Sequence, residues 1–327
     1  MTVIGLDVGY SNLKIAVGEA TGAPDMIVRP AGAAPLERLG ERLGTACRPD
    51  AVVVAVDGRP WAAAIEPARL EGWQRSLHAD YAATPAYRAL VHAALVLADR
   101  PVVEQLVTGL PVEQARDPRR REALRRALVG RHVTDRGTVD VREVHIVPQP
   151  VGAFVDLLWS DLDSETLARI EEGTVLVLDA GFYSFDWAVI VAGELRRGAS
   201  GTSLEAMSVL LERAAGRIAE QHGGRPQPLA LEAALRQGRE DVLMQGRRVA
   251  LKPALEDAGR EVAGAALEAL RQALRREATD VDLVLVTGGG AALYGGAAAA
   301  LFPGAEVRLA GDPVGANARG FFHYGRR

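Results

Sequence analysis

A chain of 327 residues, 48% hydrophobic and 24% charged, has enough apolar material for a sizeable core and most naturally forms two domains. Its net charge of -4 gives no global reason to expect binding to nucleic acid or to a membrane surface. Cys47 is the sole cysteine, which excludes an internal disulfide; with no basic leader before the first strand, a reducing cytoplasm is the expected location.

Val3 to Val17, VIGLDVGYSNLKIAV, is an apolar run that breaks at Asp7-Val-Gly-Tyr-Ser-Asn and resumes near Lys14. It predicts two short strands and a tight turn, with Gly9 and Asn12 supplying the turn conformations. Such a hairpin is either plain structure or a small anionic cradle. In the second reading the N–H groups of the turn Gly9, Tyr10, Ser11 and Asn12 point at a phosphate, Lys14 adds a compact charge, and Asp7 holds a hydrated divalent cation. Among 38 Lys+Arg, lysine occurs only at Lys14 and Lys252. An ammonium is a point charge that arginine's planar fork does not imitate, so the residue type at Lys14 carries weight.

Gly18 to Asp50 is rich in Gly, Ala and Pro, with one helix expected at Leu36 to Gly44. A strand at Ala51 to Val56 runs into a turn at Asp57-Gly58, and Trp61 and Trp73 bracket a less regular stretch inside a small inserted subdomain. The spacing of Tyr87, Leu90, Val91, Ala94 and Leu95 predicts a helix over Thr84 to Asp99, leading into a strand at Val102 to Gly109. Asp117-Pro118 pairs an N-cap acid with a first-turn proline and opens a helix over Pro118 to Val129. Its Arg119, Arg120, Arg121, Arg125 and Arg126 form either a solvated basic face or a contact for a filament or DNA. Strands follow near Val133 and at Val144 to Val147. Pro148-Gln149-Pro150 opens a helix to about Trp159, expected to end just before the next hairpin and to cross between domains. Gln149, at its start, is either a cap or a group that orients an attacking water.

Thr174 to Val191, TVLVLDAGFYSFDWAVIV, repeats the first hairpin without a gap, laying Asp179 on Asp7 and Gly181 on Gly9. Duplication near the half-chain point predicts two related halves that grip one polyphosphate from opposite sides, each bringing a carboxylate toward the metal. Glu194 to Ala199 is expected to be a third strand, and Gly201-Thr202-Ser203 to begin a helix reaching about Gln221. A loop at Gly223 to Pro228, a short helix at Leu229 to Arg236 and a hairpin at Asp241 to Leu251 turning at Gln245-Gly246 come next. Lys252-Pro253 then opens a long amphipathic helix to about Glu277. Asp282 to Thr287 predicts a strand running into Gly288, Gly289 and Gly290, before a helix from Ala291 through Tyr294. Glycines there let a flat ring approach the backbone, and the helix start favours an anion. The uncharged run Leu283 to Ala305 is interrupted by glycines and Pro303 and is not read as a membrane span. Asp312-Pro313 is expected to start the last helix, through Phe322, returning to the first domain.

Taken in order, these pieces resemble the actin superfamily, and more narrowly the bacterial and archaeal ParM/StbA-like actins, including the group called PRTRC system protein D. The ordered set spans essentially the whole chain: Asp-x-Gly hairpin with Lys14, crossover helix, second Asp-x-Gly hairpin, strand with three glycines, then Pro313-x-x-Ala316-Asn317-Ala318-Arg319-Gly320. The resemblance implies an α/β actin-like ATPase fold of two ribonuclease-H-like domains, with ATP or ADP and Mg2+ in the cleft and head-to-tail filaments. Domain I would be 1–158 plus 312–327 with an insertion at about 19–100, and domain II 159–311 with an insertion at about 223–277. Residue by residue, it makes Asp7 the metal-holding acid of the first phosphate motif and Lys14 its phosphate contact. It makes Gln149 the catalytic residue that positions water, and Asp179 the catalytic and metal-holding acid of the second motif. Gly9, Tyr10, Ser11, Asn12, Gly181, Phe182, Tyr183 and Gly201 join Lys14 as expected nucleotide contacts. Gly288, Gly289, Gly290 and Tyr294 form the adenosine motif, and Ala316-Asn317-Ala318 the second connecting helix.

Family members commonly place Gly and Thr after the second Asp-x-Gly, where this chain has Phe182 and Tyr183; those rings either crowd the γ-phosphate or turn into the core. Tyr10 poses the same choice in the first hairpin. The expected function is an ATP-hydrolysing, filament-forming protein of the plasmid-segregation type that reaches DNA through an adaptor rather than directly. Two alternatives stand beside it. A small-molecule kinase on the same fold would need a charged recognition insertion, and none is evident. A nonpolymerising nucleotide-dependent switch would dock a partner through the Arg119 to Arg126 face.

Overall fold

The computed structural model describes residues 1–41, 51–75, 77–78, 80–134, 136–277 and 280–326. Cys47 and the end of the helix expected over Leu36 to Gly44 lie outside them. The chain divides into two compact units, Met1–Ser160 with Gly315–Arg327, and Asp161–Val314.

The first unit opens with β1 (Thr2–Val8) and β2 (Asn12–Glu19), joined by the expected tight turn. Every residue of β1 is buried, which is why it reads as an unbroken apolar run rather than an alternating one. Then come β3 (Asp25–Pro30), β4 (Gly32–Pro35), β5 (Val52–Val56), β6 (Arg59–Ile65), α1 (Pro85–Ala98) and β7 (Val102–Leu110). They are followed by α2 (Val112–Arg116), α3 (Pro118–Leu128), β8 (Gly130–Thr134), β9 (Gly137–Pro148) and α4 (Gln149–Leu158). A six-stranded sheet has the order β3-β2-β1-β7-β9-β8, with β1, β7 and β9 parallel; β4-β6-β5 form a separate antiparallel sheet. Ile4, Leu6 and Val8 of β1 pack on the side of Tyr87, Leu90 and Leu95 of α1. Val3 faces the other way, with Ala318 and Phe322 of the C-terminal helix Ala316–Gly325. Asp7 therefore belongs to the Val3–Gly5–Asp7 row, on the C-terminal helix's side of the sheet.

Where the sequence expected a helix from Leu36, the described part is a single 3-10 turn, Leu36–Arg38. β4 consists of glycine, two alanines and proline, so it lacks the branched side chains that signal a strand. β6 fills part of the stretch read as irregular, and the Asp57-Gly58 turn before it has φ of 51 and 74 degrees, the left-handed pair a two-residue hairpin demands. α1 starts where its spacing said, because the Thr84 hydroxyl accepts from the Tyr87 N–H at 3.2 Å. Thr84→Ala is expected to cost about 1 kcal/mol of stability, read from the denaturant midpoint.

In the second unit, α5 (Ser164–Glu172) precedes β10 (Thr174–Ala180) and β11 (Phe185–Val191). α5 thus stands between α4 and the second hairpin, and α4 lies wholly within the first unit. β12 is only Glu194–Leu195, shorter than the strand expected to Ala199, because the chain turns away at Arg196. Gly201–Ser203 is a strand, β13, paired with β11 rather than a helix start; α6 (Met207–His222) begins four residues later. α7 (Pro228–Arg236), the β14 (Asp241–Met244) and β15 (Arg247–Ala250) hairpin, α8 (Lys252–Glu277), β16 (Leu283–Thr287), α9 (Ala291–Leu301) and β17 (Glu306–Leu309) follow. The C-terminal helix, α10, starts at Ala316 and not at Pro313, whose carbonyl instead accepts from the Gly288 N–H and the Thr287 hydroxyl. Among the described residues no helix is long and apolar enough to cross a membrane.

The second sheet has the order β12-β11-β10-β16-β17, its first three strands antiparallel and β10, β16 and β17 parallel. That is the order and direction of β3-β2-β1-β7-β9 in the first unit. The sequence repeat is thus a repeat of topology, two ribonuclease-H-like units in one chain.

Candidate functional site

Antiparallel register places Asp7 directly opposite Lys14, so both side chains share one face at the end of the hairpin. Lys14 Nζ lies 2.8 Å from Asp7 Oδ2, with the carboxylate 2% and the ammonium 16% exposed. Gln149, at the start of α4, donates from Nε2 to the other oxygen, Oδ1, at 3.3 Å. Gly109, the next-to-last residue of β7, lies against it: a Cβ there would come within 2.8 Å of Gln149 Cγ and 2.5 Å of the Phe321 ring. Gly9 closes the turn by donating to the Asn12 carbonyl at 3.0 Å, and a Cβ on it would sit 3.2 Å from Lys14 Nζ. Asp7, Gly9, Lys14 and Gln149 are thus brought together. The Ser11 carbonyl accepts from the Ala31 N–H. Tyr10 turns its ring to the α1 side, where it stacks on Tyr81.

In the second hairpin Asp179 is 5% exposed and directly opposite Asp186, which is 1% exposed. The overlay that lays Asp179 on Asp7 lays Asp186 on Lys14, so the acid–base pair of the first unit becomes a pair of acids in the second. Asp186 is the residue that motif reading passed over, although the gapless overlay carried the signal. Its carboxylate accepts from the Ser184 and Thr202 hydroxyls, which fix its orientation.

Of the glycines expected to face adenosine, Gly288 comes against Asp179 within the same unit. Gly288 has φ of +87 degrees, and a Cβ there would lie 2.5 Å from both the Ala180 carbonyl oxygen and Asp179 Oδ1. Only glycine permits that approach. Gly290 donates to the Ala180 carbonyl at 3.0 Å, and a Cβ at Gly289 would meet open space. The turn Gly181–Ser184 is anchored through the Gly181 and Phe182 carbonyls, which accept from Met207 and Ser208 at the start of α6. Phe182 packs its ring against the unit's core, and Tyr183 is half-buried.

Two expected contacts are placed elsewhere. Tyr294 is 1% exposed, stacked on Phe185 with centroids 5.0 Å apart, and its hydroxyl donates to the Glu205 carbonyl at 3.0 Å. Burial pushes its phenol up, so it stays neutral. Gly201 lies under Trp187, whose ring a Cβ would meet at 2.5 Å. Both serve the core, a role that sequence spacing cannot separate from ligand contact. On the basic helix, Arg125 and Arg126 both pair with Glu122, holding its carboxyl down at about 2, and Arg120 pairs with Asp80. Three of the five arginines are thus paired with acids, and Arg121 donates to the Ala115 carbonyl. Among the described residues no cluster of three or more His, Cys, Asp and Glu is arranged to hold a metal by itself.

Two duplicated ribonuclease-H-like units with acids at equivalent strand ends define a class. The model described as "Actin like proteins N terminal domain" matches residues 5–152, and "Archaeal actin homologue MreB-like, C-terminal" matches residues 177–297. No curated protein matches the chain by sequence. Among solved structures the chain is similar to the archaeal actin homologue Ta0583, with a TM-score of 0.77 and 23% identity over 100% of this chain and 99% of that one. A crystal structure of the same homologue in complex with ADP matches with a TM-score of 0.74 and 22% identity over 99% of each chain. A 15-stranded ParM filament from Clostridium botulinum matches with a TM-score of 0.72 and 16% identity over 99% of each. The two models, both of actin-like proteins, together match most of the chain, which belongs to the actin superfamily.

Proposed function

We propose that the chain is an actin-like ATPase that binds ATP with Mg2+ through its two acid-bearing hairpins and assembles into nucleotide-dependent filaments. The observation that carries this reading is the duplicated hairpin with a buried acid at the same place in each copy, Asp7 beside Lys14 and Gln149, and Asp179 beside Gly288. The ADP complex of the archaeal homologue supports a nucleotide, and the ParM filament supports self-assembly. On this reading the units are actin-like domains I and II, each with an inserted subdomain.

Mg2+ prefers a few carboxylates, waters and phosphate oxygens to an all-protein cage. Asp7 and Asp179 are hard oxygen donors that fit this preference, and both are nearly fully buried. When bound, the ion supplies positive charge against the β- and γ-phosphate oxygens. Lys14 and the N–H groups that follow Gly9 in the turn bind phosphate, the Gly9 N–H itself being held by the Asn12 carbonyl. Gln149, held by Asp7, orients the attacking water, and Asp179 steers it into line. Nucleotide state then shifts the population between conformations that do and do not assemble. A segregation role would follow in the cytoplasm through a DNA-binding adaptor, since the net charge of -4 does not favour direct contact with DNA.

High-speed sedimentation with ATP·Mg2+, ADP·Mg2+ or no nucleotide, with phosphate measured in the same tubes, tests the proposal. Pelleting that requires ATP and is followed by phosphate release is expected. A soluble chain that still hydrolyses ATP would overturn the filament, and absence of both activities would overturn the whole reading.

A further inference from the structure

We infer that Tyr10 is a positioning residue: its stack on Tyr81 fixes the Gly9–Asn12 turn in the geometry that receives a nucleotide's phosphates. The inference rests on the nucleotide reading above and deepens it, because it assigns a cause to the shape of one half of the site.

The turn is short, and Tyr10 is its one large side chain. Its ring lies against that of Tyr81 with centroids 4.2 Å apart and planes 25 degrees apart, and its hydroxyl donates to the His78 carbonyl at 2.8 Å. Tyr81 is itself held. It meets the Tyr87 ring edge-on at 5.4 Å, and its carbonyl accepts from the Thr84 hydroxyl at 2.7 Å, the same hydroxyl that caps α1. Asp80, next to it, pairs with Arg120 of α3 at 2.9 Å. On the turn's other side, the Ser11 carbonyl accepts from the Ala31 N–H at 2.9 Å. The turn is therefore braced from both flanks.

The second hairpin meets the same need by other means. At the position of Tyr10 stands Phe182, packed into its own unit's core, with its carbonyl bonded to α6. Both turns carry an aromatic anchor where the hairpin itself needs none. A turn fixed in advance does not lose freedom when an anion arrives, and its N–H groups need no reorganisation. Loosening the anchor weakens the binding of phosphates and leaves the nucleoside end alone.

The test is calorimetric titration of ADP, ATP and adenosine into the full chain carrying Tyr10→Ala, Tyr81→Leu, both, or Tyr10→Phe. Leucine at 81 keeps apolar volume without a ring face, and thermal melts confirm that each variant is folded. Tyr10→Ala and Tyr81→Leu are each expected to weaken ADP and ATP about fivefold, the scale of one aromatic pair. Adenosine affinity should be unaltered, and the double variant no weaker than the worse single one, because the two substitutions remove one contact. Tyr10→Phe keeps the stack and should recover most of the loss. Unchanged ADP affinity in the singles, an equal fall for adenosine, or single effects that multiply in the double variant would each overturn the inference. If the unaltered chain binds neither ATP nor ADP, the nucleotide reading fails first and this inference falls with it.

Discussion

On the proposed function, Asp179→Ala is expected to lower phosphate release by about a thousandfold while ATP still binds, within the range lost when a group that acts on the reacting water is removed. Asp179 sits at the end of β10, 5% exposed, with the Gly288 backbone folded against its Oδ1. On the proposed reading that carboxylate does two things, holding Mg2+ and steering the water, and alanine can do neither. The Gly9–Asn12 turn, Lys14 and Gln149 belong to the other unit and keep their mutual bonds, so phosphate affinity persists. The fold should persist as well. Like charges directly opposite each other across a ladder are unfavourable, so removing one of the Asp179 and Asp186 pair relieves repulsion as it removes contacts. The melting transition is expected to move by less than about 1 kcal/mol equivalent. Phosphate release and ATP titration on the same preparation check this; undiminished turnover would remove Asp179 from the mechanism.

Gly320→Val is expected to destabilise the first unit by more than about 3 kcal/mol, at the severe end for a single substitution. α4 and α10 cross backbone to backbone. A Cβ at Gly320 would lie 1.7 Å from the Gly152 carbonyl oxygen, and one at Gly152 would lie 2.7 Å from the Asn317 carbonyl oxygen and 2.6 Å from the Phe321 ring. At Gly320 nothing can swing aside, because the atoms its Cβ would meet, in Gly152 and Asp156, are all main chain. Separating the helices would also break the Ala153 N–H bond to Asn317 Oδ1 and the two-point pair of Arg319 with Asp156, at 3.0 and 2.8 Å. Gly5 of β1 adds the third layer of close contact, since a Cβ on it would lie 2.0 Å from the Ala318 carbonyl oxygen. The control is Gly216→Ala in α6, where a Cβ meets nothing within 4 Å and helix propensity predicts a gain of up to about 1 kcal/mol. Urea midpoints at constant slope distinguish the two; a Gly320→Val chain as stable as the parent would refute the crossing.

The sequence-level reading of the fold succeeded where local chemistry and tertiary need agree. β1 and β10 announce themselves as buried runs, and Asp117 and Gln245-Gly246 mark a cap and a turn that hold in three dimensions. Failures came where the deciding partner is remote. The Pro313 carbonyl is taken by Gly288 and Thr287, so the Asp312-Pro313 signal does not start a helix. β4 is built of residues too small to show a period. At the candidate site, the hairpin overlay revealed Asp7 and Asp179 but not the role of Asp186, because that depends on which residues face each other across the ladder. Tyr294 and Gly201 carry the right residue types in the right region, yet the packing of Phe185 and Trp187 claims them for the core.

The proposed function requires the chain to bind one ATP, rather than two or none. Equilibrium titration of ATP·Mg2+ to saturation, with protein concentration fixed by quantitative amino-acid analysis, tests it most directly. One ATP per chain is expected, with affinity reduced by substitution of either Lys14 or Asp179. Two ATP per chain, each lost with its own hairpin, or no saturable binding at all, would contradict it.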